Sequence, residues 1–199
     1  MGQYYKVIIL TDNKNIKEII RMWIEPSSYG MGSKLVEHAY IDCMLLQAIE
    51  YLISPEGMFY KCRIVWAGDY ADPEIETNDN LYNMTIENGT FQRPLPYNTS
   101  MYRYIVNHTK KLYVDKHRSI NSNYDIHPLP LLVSEGNGNS GSDYSGRNVE
   151  LCGSWARDII SVEKEIPVKY SFLTLLENID GSFNAPNDYT ELICEFDNF

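Results

Sequence analysis

The length, composition and charge of this chain exclude several classes of protein. Its 199 residues, 44% of them hydrophobic, suffice for one substantial core, so we expect a single globular domain over residues 1–199. The formal net charge of -10 opposes general binding to nucleic acids or anionic membranes, and no apolar run reaches the roughly 18 residues of a membrane helix.

The first two elements are predicted to be strands. Residues 4–10 are β-branched and aromatic, and the turn-forming residues 12–15 indicate a hairpin into a second strand at residues 19–24. The second segment also fits a helical stripe that begins at Ile16, so a helix over residues 16–24 stays open as the alternative.

Residues 33–53 predict the main amphipathic helix, because apolar residues recur there at helical spacing, Ser33 can cap its start and Pro55 follows its end. The later segments favour strands at residues 62–67, 102–106, 112–114, 126–133, 159–162, 171–175 and 191–196. Pro128 and Pro130 would place one of these at a sheet edge or in an irregular segment. Residues 76–100 are predicted to be an ordered excursion. Together the pattern predicts an α+β fold with one antiparallel-dominated β-sheet.

Neither the cysteines nor the N-terminus carries a recognisable signal. The four cysteines never form a C-x-x-C pair, which argues against a zinc knuckle or a redox motif. No N-terminal segment combines a charged start with an apolar stretch long enough for a secretory signal. We therefore expect a soluble protein with reduced thiols in the cytoplasm.

A loop rich in glycine and asparagine at residues 134–148 is the predicted binding site. Its glycines would let backbone N–H groups turn towards an anion, but the lysine of a phosphate-binding loop is missing. Glu135 and Asp143 would also oppose a phosphate unless Arg147 or Arg157 compensates. Besides this anion site, the loop has two alternatives: a cation site, described next, and a polar surface loop that binds no ligand.

The cation alternative is calcium. Side-chain oxygens stand at the first, third, fifth and ninth positions of a calcium-type loop, on Glu135, Asn137, Asn139 and Asp143. The match fails at Ser140, where such a loop requires glycine, and at Gly146, where it requires a bidentate glutamate. These residues are weak metal candidates, and no cofactor is indicated.

Two segments share a tryptophan, a small residue, a spacer and an aspartate: Trp66 to Asp69 and Trp155 to Asp158. They predict either two strand ends with tryptophans in the core, or two aspartates brought to one rim as a paired-carboxylate site. His127 lies just before the loop and could act as a general base or ligand beside one of these carboxylates. The catalytic candidates are His127, Asp143, Asp158 and Asp69.

Several distinctive strings extend over most of the chain: MGQYYK at 1–6, GSKLVEH at 32–38, WAGDYADPE at 66–74, VNHTKK at 106–111, IHPLPLL at 126–132, and GNG at 136–138 followed by WARD at 155–158. In these strings the chain resembles an uncharacterised family that is scattered among bacteria, phages and large DNA viruses. That family has no assigned activity, so the resemblance implies no catalytic residue. The composition is typical of an AT-rich genome and points to a large DNA virus, in which case the location would be the host cytoplasm.

The sequence best predicts a domain that binds a polar small molecule where the loop meets the two tryptophan segments. The residues expected to contact it are Asn137, Asn139, Asp143, Trp66, Trp155 and Arg157. One alternative is a metal-dependent or acid–base hydrolase that uses the clustered carboxylates, and another is a non-enzymatic interaction or virion-associated protein. The oligomeric state is left open.

Overall fold

The computed structural model describes residues 2–11, 20–75, 77–86, 90–91, 102–119, 125–137, 144–166 and 190–192. Within these ranges nine strands form one mostly antiparallel sheet, accompanied by four helices, which confirms the α+β class. The strands are β1 (Tyr5–Leu10), β2 (Ile20–Ile24), β3 (Cys62–Gly68), β4 (Thr90–Phe91), β5 (Tyr104–Asn107), β6 (Leu112–Asp115), β7 (Ser134–Glu135), β8 (Ile159–Glu163) and β9 (Thr190–Glu191). The helices are α1 (Leu35–His38), α2 (Met44–Ile53), α3 (Leu81–Met84) and α4 (Pro128–Leu132).

The strands lie in the order β4-β2-β1-β3-β8-β5-β6-β9, with β7 alongside β3. The neighbouring strands β2, β1 and β3 pair antiparallel, as do β5 with β6 and both β3 and β5 with β8. The β4, β7 and β9 pairings are parallel and two residues long. The predicted hairpin strands at 4–10 and 19–24 are thus confirmed as β1 and β2, while the turn predicted at 12–15 lies outside the described residues.

The two central strands β1 and β3 are buried along their whole length, because the sheet carries apolar packing on both faces. One face of β1 presents Val7 and Ile9 to the main core, which includes α2. The other face presents Ile8 and Leu10 to a smaller cluster that contains Leu81 of α3. Burial on both faces explains why these two strands read as continuous apolar runs rather than as alternating ones.

The helix predicted at residues 33–53 is interrupted. Its main part is α2, and only the four residues of α1 are helical before it. Between them, Ile41 N–H donates to Asp125 O, and His127 N–H donates to Ala39 O. This pairing with residues 125–127 satisfies the backbone in place of helical hydrogen bonds, so tertiary contacts override the helical periodicity.

The strand predicted at residues 126–133 is wrong: only Ile126 makes an isolated bridge, with Tyr40, and residues 128–132 form α4. Pro128 stands at the start of this helix, where the missing N–H costs no intrahelical hydrogen bond. The side chain of His127 caps the helix by accepting a hydrogen bond from the Leu129 N–H. Every residue of α4 is buried, which is why its sequence is as apolar as a core strand.

Other predictions are confirmed in part or lie outside the described residues. Strands at 62–67, 112–114 and 159–162 are confirmed, and the strand predicted at 102–106 begins two residues later. Within 76–100 the structure describes α3 and β4. Of the strand predicted at 191–196 it describes Glu191, which belongs to β9, and Leu192, which follows it. The segment 171–175 lies outside the described ranges.

Candidate functional site

The cleft at the centre of the sheet exists because β3 changes its neighbour along one edge. β8 pairs with β3 only at Cys62 and Arg63, and β7 pairs with β3 further along, at Trp66 and Ala67. The chain that leads into β8 joins the edge of β3 at Arg157, whose N–H donates to Ile64 O at 2.9 Å. The residues just before Arg157 do not pair with β3. The strand exchange opens a gap on the edge of β3.

This gap is a cleft of about 540 Å³, which we call the Arg157 cleft. Three segments form it: the turn after β3, the β7 strand with the first residue beyond it, and the turn that precedes β8. The lining residues are Ala71, Asp72, Pro73, Glu74, Ile75, Ser134, Glu135, Gly136, Cys152, Gly153, Ser154 and Arg157. Residues 134–136, at the start of the predicted loop, therefore lie beside the segment that contains Trp155 and the segment that follows Trp66.

Arg157 joins the three segments through two carboxylates. Its guanidinium donates to Glu135 from Nε at 2.6 Å and from Nη2 at 2.7 Å. It donates to Glu74 from Nη1 at 3.0 Å and from Nη2 at 2.5 Å. The Arg157 backbone has a φ of 62°, in the left-handed region that non-glycine residues rarely adopt. The strained backbone aims the side chain between the two glutamates.

The charges of this network do not suit an anion. Burial alone would lower the pKa of Arg157, but the hydrogen bonds and charges of Glu74 and Glu135 raise it above its ordinary value. Because both glutamates already engage the guanidinium, Arg157 does not compensate Glu135 for a phosphate in the way that the anion-binding hypothesis needed. With Asp72 on the rim, the charged lining residues sum to -2, three carboxylates against one guanidinium.

Among the described residues of the lining, Ser154 carries a side-chain hydroxyl that lacks a hydrogen-bond partner. Its hydroxyl oxygen is buried, and none of the described residues hydrogen-bonds to it. The backbone of the same residue is fully engaged, since its N–H donates to Leu151 O and its carbonyl accepts from the Lys110 ammonium. A buried hydroxyl without a partner costs about 1–3 kcal/mol of folding free energy. Such a group in a native protein therefore calls for an explanation.

Both ends of the predicted loop are held. The Gln3 side chain forms two hydrogen bonds with the Asn137 backbone, donating to its carbonyl at 2.7 Å and accepting from its N–H at 2.9 Å. At the other end, the buried Tyr144 hydroxyl donates to Arg147 O at 2.8 Å. Asn139 and Asp143 lie in the stretch 138–143, outside the described residues. Of the loop's predicted ligand residues, the structure thus places Asn137 and Glu135.

The two tryptophans lie inside the core, as in the first of the two interpretations of their segments. Trp66 is fully buried, and its indole N–H donates to His38 Nε2 at 3.1 Å. Trp155 is 1% exposed. Neither ring therefore presents a face on which a ligand in the cleft could stack, and their contribution is to support the walls.

Asp69 and Asp158 do not form the paired-carboxylate rim that was considered. The Asp158 carbonyl accepts from Ile64 N–H, whereas Asp69 lies five residues further along the chain, past the end of β3. At about 3.3 Å per residue this is roughly 16 Å, beyond the ~10 Å that a carboxylate pair spans in hydrolysis. Each carboxylate has a structural role: Asp69 accepts from the Tyr4 N–H, and Asp158 accepts from Asn107 and Lys110.

His127 belongs to a buried polar cluster and not to the lining of the cleft. Its Nδ1 accepts the N–H of Leu129, so its Nε2 donates to Glu50 Oε1 at 3.0 Å. The same oxygen accepts from Lys116 Nζ at 2.5 Å. Burial lowers the pKa of His127 despite its bond to Glu50. Burial would raise the pKa of Glu50, but the bonds from His127 and the charge of Lys116 outweigh it and hold that pKa below its ordinary value.

No group of three or more metal-binding side chains occurs within the ranges that the structure describes. Glu135, one of the calcium candidates, is occupied by Arg157. The calcium hypothesis also needs Asn139 and Asp143, so for those two residues it stays a prediction. The three described cysteines, Cys43, Cys62 and Cys152, are buried.

From the sequence, Glu74 belongs with Asp72 to an acidic cluster at the rim after Trp66, but its partner Arg157 was not predicted, and Ser154 was missed. Glu74 stands in the acidic string after Trp66, but nothing in that string indicates a partner 83 residues away. Ser154 stands in the Trp155 segment without any motif around it. Glu74 and Ser154 come to the same cleft because β3 exchanges β8 for β7 as its neighbour.

Comparison with known protein families, curated proteins and solved structures finds no match. The resemblance to a family of bacteria, phages and large DNA viruses stays a prediction. Among the described residues, no helix is both long and apolar enough to cross a membrane.

Proposed function

We propose that this protein binds a small polar organic molecule in the Arg157 cleft. The observation that carries the proposal is the orphaned hydroxyl of Ser154 in the wall of a cleft lined by the Glu74, Arg157 and Glu135 side chains. A buried polar group that the chain leaves without a partner calls for an explanation, and a bound molecule that hydrogen-bonds to it when the cleft wall adjusts would supply one. Charged groups fixed by one another supply directional hydrogen bonds without having to be ordered when the ligand arrives.

The size and construction of the cleft agree with this role. Pockets for small molecules range over about 300–1,000 Å³, and the Arg157 cleft lies inside that range. Its polar side chains are fixed by mutual ion pairs, and the loop beside it is anchored by Gln3 and Tyr144. Such preorganisation is typical of a binding site.

The hydrolase alternative loses its best support, because β3 separates Asp69 from Asp158 and His127 is enclosed by Glu50 and Leu129. The alternative of a pure interaction protein predicts no ligand in the cleft. Neither alternative therefore expects a small molecule to bind in the Arg157 cleft, whereas the proposal does.

The experiment is a titration of isotope-labelled protein followed by amide NMR. The titrants are a panel of sugars, amino acids, amines, carboxylates and nucleosides. At least one compound should move the amide signals of Gly136, Gly153 and Ser154 in a saturable way, while the amides of α2 stay in place. If no member of the panel moves these three amides, the proposed function is wrong and the interaction-protein alternative gains support.

A further inference from the structure

The hydrogen-bonding capacity left on the Arg157, Glu74 and Glu135 side chains is almost entirely acceptor capacity. Arg157 uses four of its five N–H groups on Glu74 and Glu135, and each of the four carboxylate oxygens accepts one bond. A carboxylate oxygen has about two acceptor positions, so each retains about one. The network thus offers about four free acceptor positions against one free guanidinium N–H.

The charge of the lining acts in the same direction. Among the described lining residues, Asp72, Glu74 and Glu135 outnumber Arg157, and no other is charged. The whole chain carries a net charge of -10, so the long-range field also attracts cations. The charge of the lining and the net charge of the chain would both repel an anionic ligand, and neither would attract a neutral one.

The cleft also has an aliphatic side. Pro73 and Ile75 belong to the lining, and Ile75 is 87% exposed. A ligand that carries methylene groups next to its charge could cover Ile75 while its charged end reaches the carboxylates.

We infer that the ligand of the Arg157 cleft is an organic cation, a primary amine or guanidinium on a short aliphatic chain. This inference rests on the proposed function and specifies its ligand. The N–H groups of the cation donate to the free acceptor positions of Glu74 and Glu135, Asp72 attracts the charge at the rim, and the methylene groups pack on Ile75. The orphaned Ser154 hydroxyl is the independent sign of a ligand, since it is buried in the same wall without a partner.

Calorimetry and the amide NMR titration, both at low ionic strength, test with matched probes whether the ligand must be a cation. The cationic probes are 1,4-diaminobutane and agmatine, 1,4-butanediol is the neutral probe of the same chain length, and succinate is the dianion. The two cations should bind and move the amides of Gly136, Gly153 and Ser154, whereas the diol and succinate should not. Raising the ionic strength should weaken the binding.

The variant Asp72→Asn removes one rim charge from an exposed side chain and should weaken amine binding about threefold, the scale of an exposed ion pair. Asp42→Asn is the matched control, because Asp42 is exposed and outside the cleft lining. Equal weakening by both variants would overturn the inference, since it would mean attraction to the acidic surface at large.

The failure of this inference is distinguishable from the failure of the proposed function. If the diol or a neutral sugar moves the cleft amides as strongly as the amines do, the cation class is wrong while small-molecule binding stands. If no compound of any class moves those amides, both are wrong.

Discussion

The substitution Ser154→Ala should stabilise the ligand-free protein. The Ser154 hydroxyl is buried without a partner, so its desolvation is uncompensated, whereas the methyl group of alanine has no such cost. The backbone hydrogen bonds of this residue, to Leu151 and Lys110, do not involve the hydroxyl and should persist. From a penalty of about 1–3 kcal/mol for an unsatisfied buried group, we expect a gain of about 1 kcal/mol in the free energy of unfolding.

Urea denaturation measures this gain directly, and for a chain of this size it should raise the melting temperature by about 2–4 °C. The same variant should bind any cleft ligand more weakly, so stability and binding should change in opposite directions. Ser161→Ala is the matched control, because the buried Ser161 hydroxyl is paired with His108 and Glu163 and its removal should destabilise the protein. If Ser154→Ala destabilises the protein as Ser161→Ala does, the hydroxyl is not an orphan and the reasoning behind the cleft fails.

Three further variants test the surrounding structure. Arg157→Met leaves two partly buried carboxylates facing each other and should cost about 2–4 kcal/mol in urea denaturation; a loss below about 0.5 kcal/mol would mean that the ion pairs are solvent-screened. Burial lowers the pKa of His38 to about 4, so between about pH 6.5 and pH 4 the unfolded chain binds more protons than the folded one, and stability should fall as the pH drops through this range. The variant His38→Gln, which can keep the bond from Trp66, should reduce the slope of stability against pH by up to about 1.4 kcal/mol per pH unit. An unchanged slope would exclude His38 as a source of the pH dependence. Gln3→Ala removes both bonds to the Asn137 backbone and should speed hydrogen exchange at the Asn137 amide about fivefold or more; unchanged exchange would show that the loop start is held by other contacts.

The strands that sequence predicted correctly are those whose own residues decide their structure. β1 and β3 are runs of β-branched and aromatic residues that any sheet would bury, and β5 and β6 are separated by a short polar turn. Residues 126–133 are equally apolar, but a buried helix and a buried strand look the same in composition when the segment is short. The proline at the first helical position was the available sign of α4.

By itself, the sequence determined the fold class and the central strands, because local periodicity and turn residues carry that information. Only the tertiary structure decided that the helix breaks before Met44, since residues 125–127 supply the competing backbone partners. It also decided the composition of the cleft. Arg157 meets Glu135 across 22 residues and Glu74 across 83, and such a meeting depends on how β3 exchanges β8 for β7, which no local pattern records.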